Sequence, residues 1–245
     1  MARNLTSDPV IIGQELYSSS ATAKAALGER VTDGKGRNFR YVKAGGTALV
    51  VGNVIQAPAE IADHYGTSIA AAAIGDTSLT VTPGATGGAA NLYEGGWAII
   101  DTAGVSGSLG YAYPIASHAA ITASVAFTLY LDLPLQTALN TSNKVTLTPN
   151  PYRGVIQAPV TTLTGAVVGV CVYPIAASEY GWVQVSGPCA TLTKGTPGPG
   201  VAVVSPGSAA GAVVVDGATA ATQVIGSMMV TGVDGKVLPV HLRLD

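Results

Sequence analysis

The stretch Ser124-Val-Ala-Phe-Thr-Leu-Tyr-Leu-Asp-Leu133 decides the fold class. Val125, Phe127, Leu129, Leu131 and Leu133 recur at a strict period of two, which places them on one face of a β-strand. In a helix the same positions would scatter around the axis. The pattern returns at the end of the chain. There Met228 to Leu244 reads as a hairpin around the Asp234-Gly235 turn, with Leu238, Val240, Leu242 and Leu244 facing in and His241 and Arg243 facing out. Pro239, also facing out, places that strand at an edge or at a position whose N–H faces solvent. A second hairpin is read around Asp33-Gly34, where Phe39 and Tyr41 share a face and Arg40 takes the other.

Shorter β segments fill the rest. Residues 77–82, 97–101, 167–172, 182–186, 201–204, 212–215 and 223–225 read as strands between turns rich in Gly and Pro. Residues 67–74 fit either a two-turn helix or a strand. Many short strands spaced by turn signals imply an all-β protein, a barrel or sandwich of short antiparallel strands.

Composition agrees. The 12 basic and 14 acidic side chains make up 11% of 245 residues, less than half the usual ~25%. A hydrophobic content of 48% with a net charge of −2 is the opposite of the disordered signature. Gly shows no three-residue period, which excludes collagen. A sequence pI near 5.9 argues against a basic nucleic-acid-binding surface. No apolar run reaches the ~20 residues of a membrane span, and the first residues lack a signal-peptide core, so a cytoplasmic site of synthesis is expected. Cys171 and Cys189, each in a strand-like context, read as two buried free thiols, with a disulfide as the alternative.

The charges are unevenly placed. Residues 1–43 hold seven bases against four acids, a net +3; residues 44–143 hold six acids and no base; residues 144–245 carry a net +1. Residues 1–27 read as an extended polar arm with at most a short helix over 21–27. The sequence Val54-Ile-Gln-Ala-Pro58 recurs as Val155-Ile-Gln-Ala-Pro159, 101 residues later. Together with the acidic block, this echo is read as similar strands flanking an inserted β-rich domain, 59–150. Residues 28–58 and 151–245 then form one β-barrel domain.

A search for chemistry finds little. His64, His118 and His241 lack metal-ligand spacing, and Asp63-His64-Tyr65 reads as a loop feature. Gly104-Val-Ser-Gly-Ser108 lacks the last Gly of a nucleophile elbow, and Gly34-Lys-Gly36 lacks the Ser or Thr of a phosphate-binding loop. The Asp-Gly turns lack the further carboxylates of a calcium loop. Ten Tyr against two Phe fit partly buried contacts with one wet end, at interfaces or sheet rims.

Three segments carry a resemblance: Gly28 to Leu49 with its Asp-Gly-Lys-Gly-Arg turn, Pro149-Asn-Pro-Tyr-Arg-Gly-Val-Ile-Gln-Ala-Pro159, and Glu179-Tyr-Gly-Trp-Val-Gln-Val-Ser-Gly-Pro-Cys-Ala190 with the C-terminal hairpin. Together, over about half the chain, they resemble capsid decoration (cement) proteins of tailed bacteriophages. The resemblance implies a virion structural protein, assembled in the bacterial cytoplasm and bound to the capsid exterior. Its partners would be the major capsid protein and itself, as a homotrimer, with no nucleic acid or membrane involved. It implies no enzymatic activity, no cofactor, and no catalytic or metal-binding residue. The basic leader is the expected shell contact, through Arg3, Arg30, Lys35, Arg37, Arg40 and Lys43, with the acidic block pointing outward. Three other readings compete: a head or tail fibre or adhesin contacting host-surface glycans, a carbohydrate-binding module with Trp97 or Trp182 as stacking platform, and an enzyme whose site assembles only in space.

Overall fold

Strands form here where β-branched and aromatic residues alternate with polar ones, and the turns fall where glycine admits a positive φ. The computed structural model describes residues 13–217 and 222–245. In chain order its strands are β1 (Arg30–Thr32), β2 (Asn38–Ala44), β3 (Val54–Gln56), β4 (Thr67–Ile69), β5 (Ser78–Thr82), β6 (Trp97–Thr102), β7 (Ala112–His118) and β8 (Phe127–Leu131). These are followed by β9 (Lys144–Thr148), β10 (Arg153–Gln157), β11 (Val167–Cys171), β12 (Tyr180–Leu192), β13 (Ala202–Ser205), β14 (Val214–Val215), β15 (Gln223–Met228) and β16 (Val237–Arg243). A 3-10 turn, Ala62–His64, is the one helical element among the described residues. The protein is all-β. Among the described residues, no helix is long and apolar enough to cross a membrane.

The chain divides into two units, Met1–Ala59 with Pro151–Asp245, and Glu60–Asn150. In the first unit, pairings run from β2 to β10, β10 to β3, β3 to β11, β11 to β12 and β12 back to β2, so five strands close a ring. All are antiparallel except β2 with β10. The interior holds Val42, Ile55, Val155, Val168, Cys171 and Val183. The thirteen-residue β12 serves two layers: its first half pairs with β2 and its second half with β16, which continues to β15, β13 and β14. The switch sits at a bulge near Ser186, where the buried Gln184 amide donates to the carbonyls of Ser186 and Pro188. Strand β16 is therefore an interior strand. Pro239 is tolerated because its carbonyl accepts from Met229 N–H just past the last β15 pair, Met228 with Val240, where a missing return bond costs no ladder continuity.

The two copies of Val-Ile-Gln-Ala-Pro are neighbours in space. Gln56 pairs with Ile156 and Ile55 with Gln157, antiparallel, so the chain leaves for and returns from Glu60–Asn150 along one strand pair.

The described part of the N-terminal segment departs from expectation. Residues 21–27 form bends and turns with no helix. Residues 13–27 do not project as an arm. Phe39, Tyr41 and Trp182 stand on the outer face of the ring and need a cover, and Leu16, Ala25 and Leu27 supply it. Gln14 locks the cover in place: its side-chain oxygen accepts from Tyr41 Oη at 2.5 Å, its amide donates to the carbonyls of Ser18 and Tyr180, and its own carbonyl accepts from Trp182 Nε1.

In Glu60–Asn150, six antiparallel strands close a barrel in the order β4-β5-β8-β7-β6-β9. Residues 67–74 begin as strand β4, because Ile69 points into the barrel core beside Leu79 and Val81. The opening stretch supplies β8, where Phe127, Leu129 and Leu131 face the core and Thr128 and Tyr130 face solvent. Val125 and Leu133 lie beyond the strand ends and are exposed.

Both cysteines are buried and free. Burial pushes the Cys171 thiol up to about 11 and the Cys189 thiol up to about 12.

Candidate functional site

Five of the six basic residues assigned to shell contact lie in or beside the β1–β2 hairpin; Arg3 lies outside the described residues. Its register sets Arg30 opposite Arg40. Like charges opposed across a ladder repel, and the chain resolves this with its last residue. The Asp245 carboxylate accepts from Arg40 Nε at 2.8 Å and Nη2 at 3.0 Å, and lies 3.9 Å from Arg30 Nε. Arg40 also donates to Gly28 O and sits over the Tyr152 ring.

At the hairpin's end, Asp33 organises the turn. It accepts from the backbone N–H groups of Lys35 and Arg37 and from Arg37 Nε at 2.5 Å. Partial burial works against ionisation of Asp33, but these donors outweigh it and hold the carboxyl below its ordinary range. Arg37 donates further to Tyr17 Oη and lies over the Phe39 ring, so it fastens the N-terminal cover. Lys43 lies over Tyr180, 5.2 Å from its centroid. Lys35, between Gly34 and Gly36, both at positive φ, is exposed at the tip. Arg30 and Lys35 are thus the two most open cations of the hairpin, while Arg37, Arg40 and Lys43 are engaged within the chain.

The histidines of Glu60–Asn150 lie inside. His64 Nδ1 accepts from Tyr93 Oη at 2.5 Å, and its Nε2 donates to Thr86 O. His118 Nε2 accepts from Tyr93 N–H at 3.0 Å, and its Nδ1 donates to Ala119 O. Both ring nitrogens of each imidazole are thus hydrogen-bonded within the barrel. Asp63 takes its bond from the Thr86 hydroxyl, so it does not pair with His64. This cluster fastens the β5–β6 loop across the barrel end. Burial pushes the Tyr93 hydroxyl far above its ordinary range, which keeps it a donor. Among the described residues no group of three or more His, Cys, Asp or Glu is placed to hold a metal ion.

The two tryptophans separate. Trp182 is core, 1% exposed, with its ring centroid 4.8 Å from that of Tyr41. Trp97 is 44% exposed on the outer face of the six-stranded barrel. It follows Gly95, at φ +72°, and Gly96, where a Cβ would lie 2.2 Å from Thr148 O, so only glycine lets the chain press against β9 there.

Comparison with protein-family models, curated proteins and solved structures finds no match.

The sequence pointed to the hairpin cations but missed Asp245 and Gln14, which lie far from them in the chain and carry no motif. It also missed Tyr93 as the partner of both imidazoles. The one available signal was the run of five glycines around Tyr93 in residues 84–97.

Proposed function

We propose that the chain is a capsid decoration protein of a tailed bacteriophage, bound to the shell exterior as a homotrimer and bridging major capsid protein subunits. The observation that carries the reading is that its three resembling segments meet in one continuous run of strands. Gly28 to Leu49 supplies β1 and β2, Pro149 to Pro159 supplies β10 beside β2, and Glu179 to Ala190 supplies β12, which joins β2 to the C-terminal β16.

On this reading the β1–β2 hairpin is the shell contact, with Arg30 and Lys35 meeting acidic shell surface and Arg37 and Arg40 keeping the hairpin in shape. Each such contact is weak, and an oligomer engaging several at once gains avidity. Selective binding to the assembled shell stabilises that state by mass action. The test is binding of purified chain to undecorated heads. Arg30→Glu with Lys35→Glu lowers occupancy while circular dichroism stays unchanged. Full occupancy by that variant removes the hairpin from the contact.

A second reading, a fibre or adhesin touching host-surface glycans, is favoured by the open position of Trp97.

A further inference from the structure

The geometry points to a shallow subsite for a neutral pyranose on the outer face of the six-stranded barrel, with the Trp97 indole as its platform. It goes beyond the decoration reading and gives the glycan reading a place and a ligand class.

The register builds the floor. Trp97 pairs with Thr148 on β9 and with Pro114 on β7, and Pro114 O accepts from Asp132 N–H just past β8. A row thus runs Thr148, Trp97, Pro114, Asp132 across the barrel surface. Strands lie ~4.8 Å apart, so the Asp132 backbone is roughly 10 Å from that of Trp97, within the span of a sugar and its substituents. In the next row Ile99 stands between Ala112 and Thr146. Trp97 keeps 44% of its surface open on this face.

Three properties select the ligand. An exposed indole offers an apolar, electron-rich face suited to the C–H face of a pyranose. Thr148 on one side and the exposed Asp132 on the other offer hydroxyl and carboxylate partners for sugar hydroxyls. Charge decides between neutral and anionic sugars: Glu60–Asn150 carries six carboxylates and one base, Lys144, so acidic sugars are repelled.

The test is saturation-transfer NMR on the full chain with methyl β-glucoside, methyl β-galactoside and methyl N-acetyl-β-glucosaminide, each raised to its solubility limit. At least one is expected to receive saturation, with binding weakened about tenfold or more in Trp97→Ala and partly retained in Trp97→Phe. A methyl sialoside is expected to receive none. Failure of all three neutral glycosides, or equal binding by Trp97→Ala, overturns the subsite. Head occupancy, measured on the same variant, separates the two readings: Trp97→Ala is expected to decorate heads as fully as the parent chain. Loss of occupancy or of self-association in Trp97→Ala, without glycoside binding by the parent chain, makes Trp97 a protein contact and also overturns the subsite.

Discussion

Single residues settle how the N-terminal segment and the hairpin are held. Gln14 is 5% exposed and ties together Tyr41, Tyr180, Trp182 and Ser20. Gln14→Ala leaves the buried Tyr41 hydroxyl without its acceptor, and urea denaturation is expected to show a loss of about 1–3 kcal/mol. Asp33 makes the hairpin turn pH-sensitive. Its folded carboxyl lies below the ordinary value, so its contribution is present above the unfolded pKa of about 4 and is lost as pH falls through the folded value. Amide exchange at Lys35 and Arg37 is expected to rise below about pH 4, and Asp33→Asn is expected to abolish that step. Both residues were opaque in the sequence for the same reason. A side chain's role here is set by partners across the fold, and neither a lone Gln nor an Asp-Gly turn announces them.

At the level of elements, period-two patterns were read well wherever one face is buried and the other wet. Strand β8 within residues 124–133 and β16 near the C-terminus are of this kind, because side-chain alternation directly reports burial. The N-terminal segment was misread because its composition is polar and its cover consists of three small or aliphatic residues, Leu16, Ala25 and Leu27, with no period. Only the packed sheet reveals that Trp182 and Tyr41 need it. Deleting residues 13–27 therefore does more than remove a contact. It is expected to destabilise the first unit by about 2–4 kcal/mol, the order for two partly buried leucines, and to shift Trp182 emission to the red. Unchanged stability and emission would contradict the role of the cover. Head binding is better probed by point substitutions in the hairpin, which leave that cover intact.

For the molecule as a whole, the repeated Val-Ile-Gln-Ala-Pro strands explain how one unit lies within the sequence of the other. Their register carries residue 59 toward residue 153, so the first unit closes on itself with a short connection. Replacing residues 60–150 by a four-residue Gly-Ser link is expected to leave a folded first unit with dispersed amide resonances; an unfolded product would show that its barrel depends on the other unit. The same economy bears on function. His64 and His118, two of the positions most suggestive of chemistry in the sequence, become fastenings around Tyr93. Shell binding by the first unit is tested most directly by cryo-electron microscopy of virus particles from the source of this chain. Density for both barrels is expected on the capsid exterior, repeated at every equivalent lattice position, with the β1–β2 hairpin against the major capsid protein. Particles lacking the chain, or carrying it in a few copies at the tail, would contradict it.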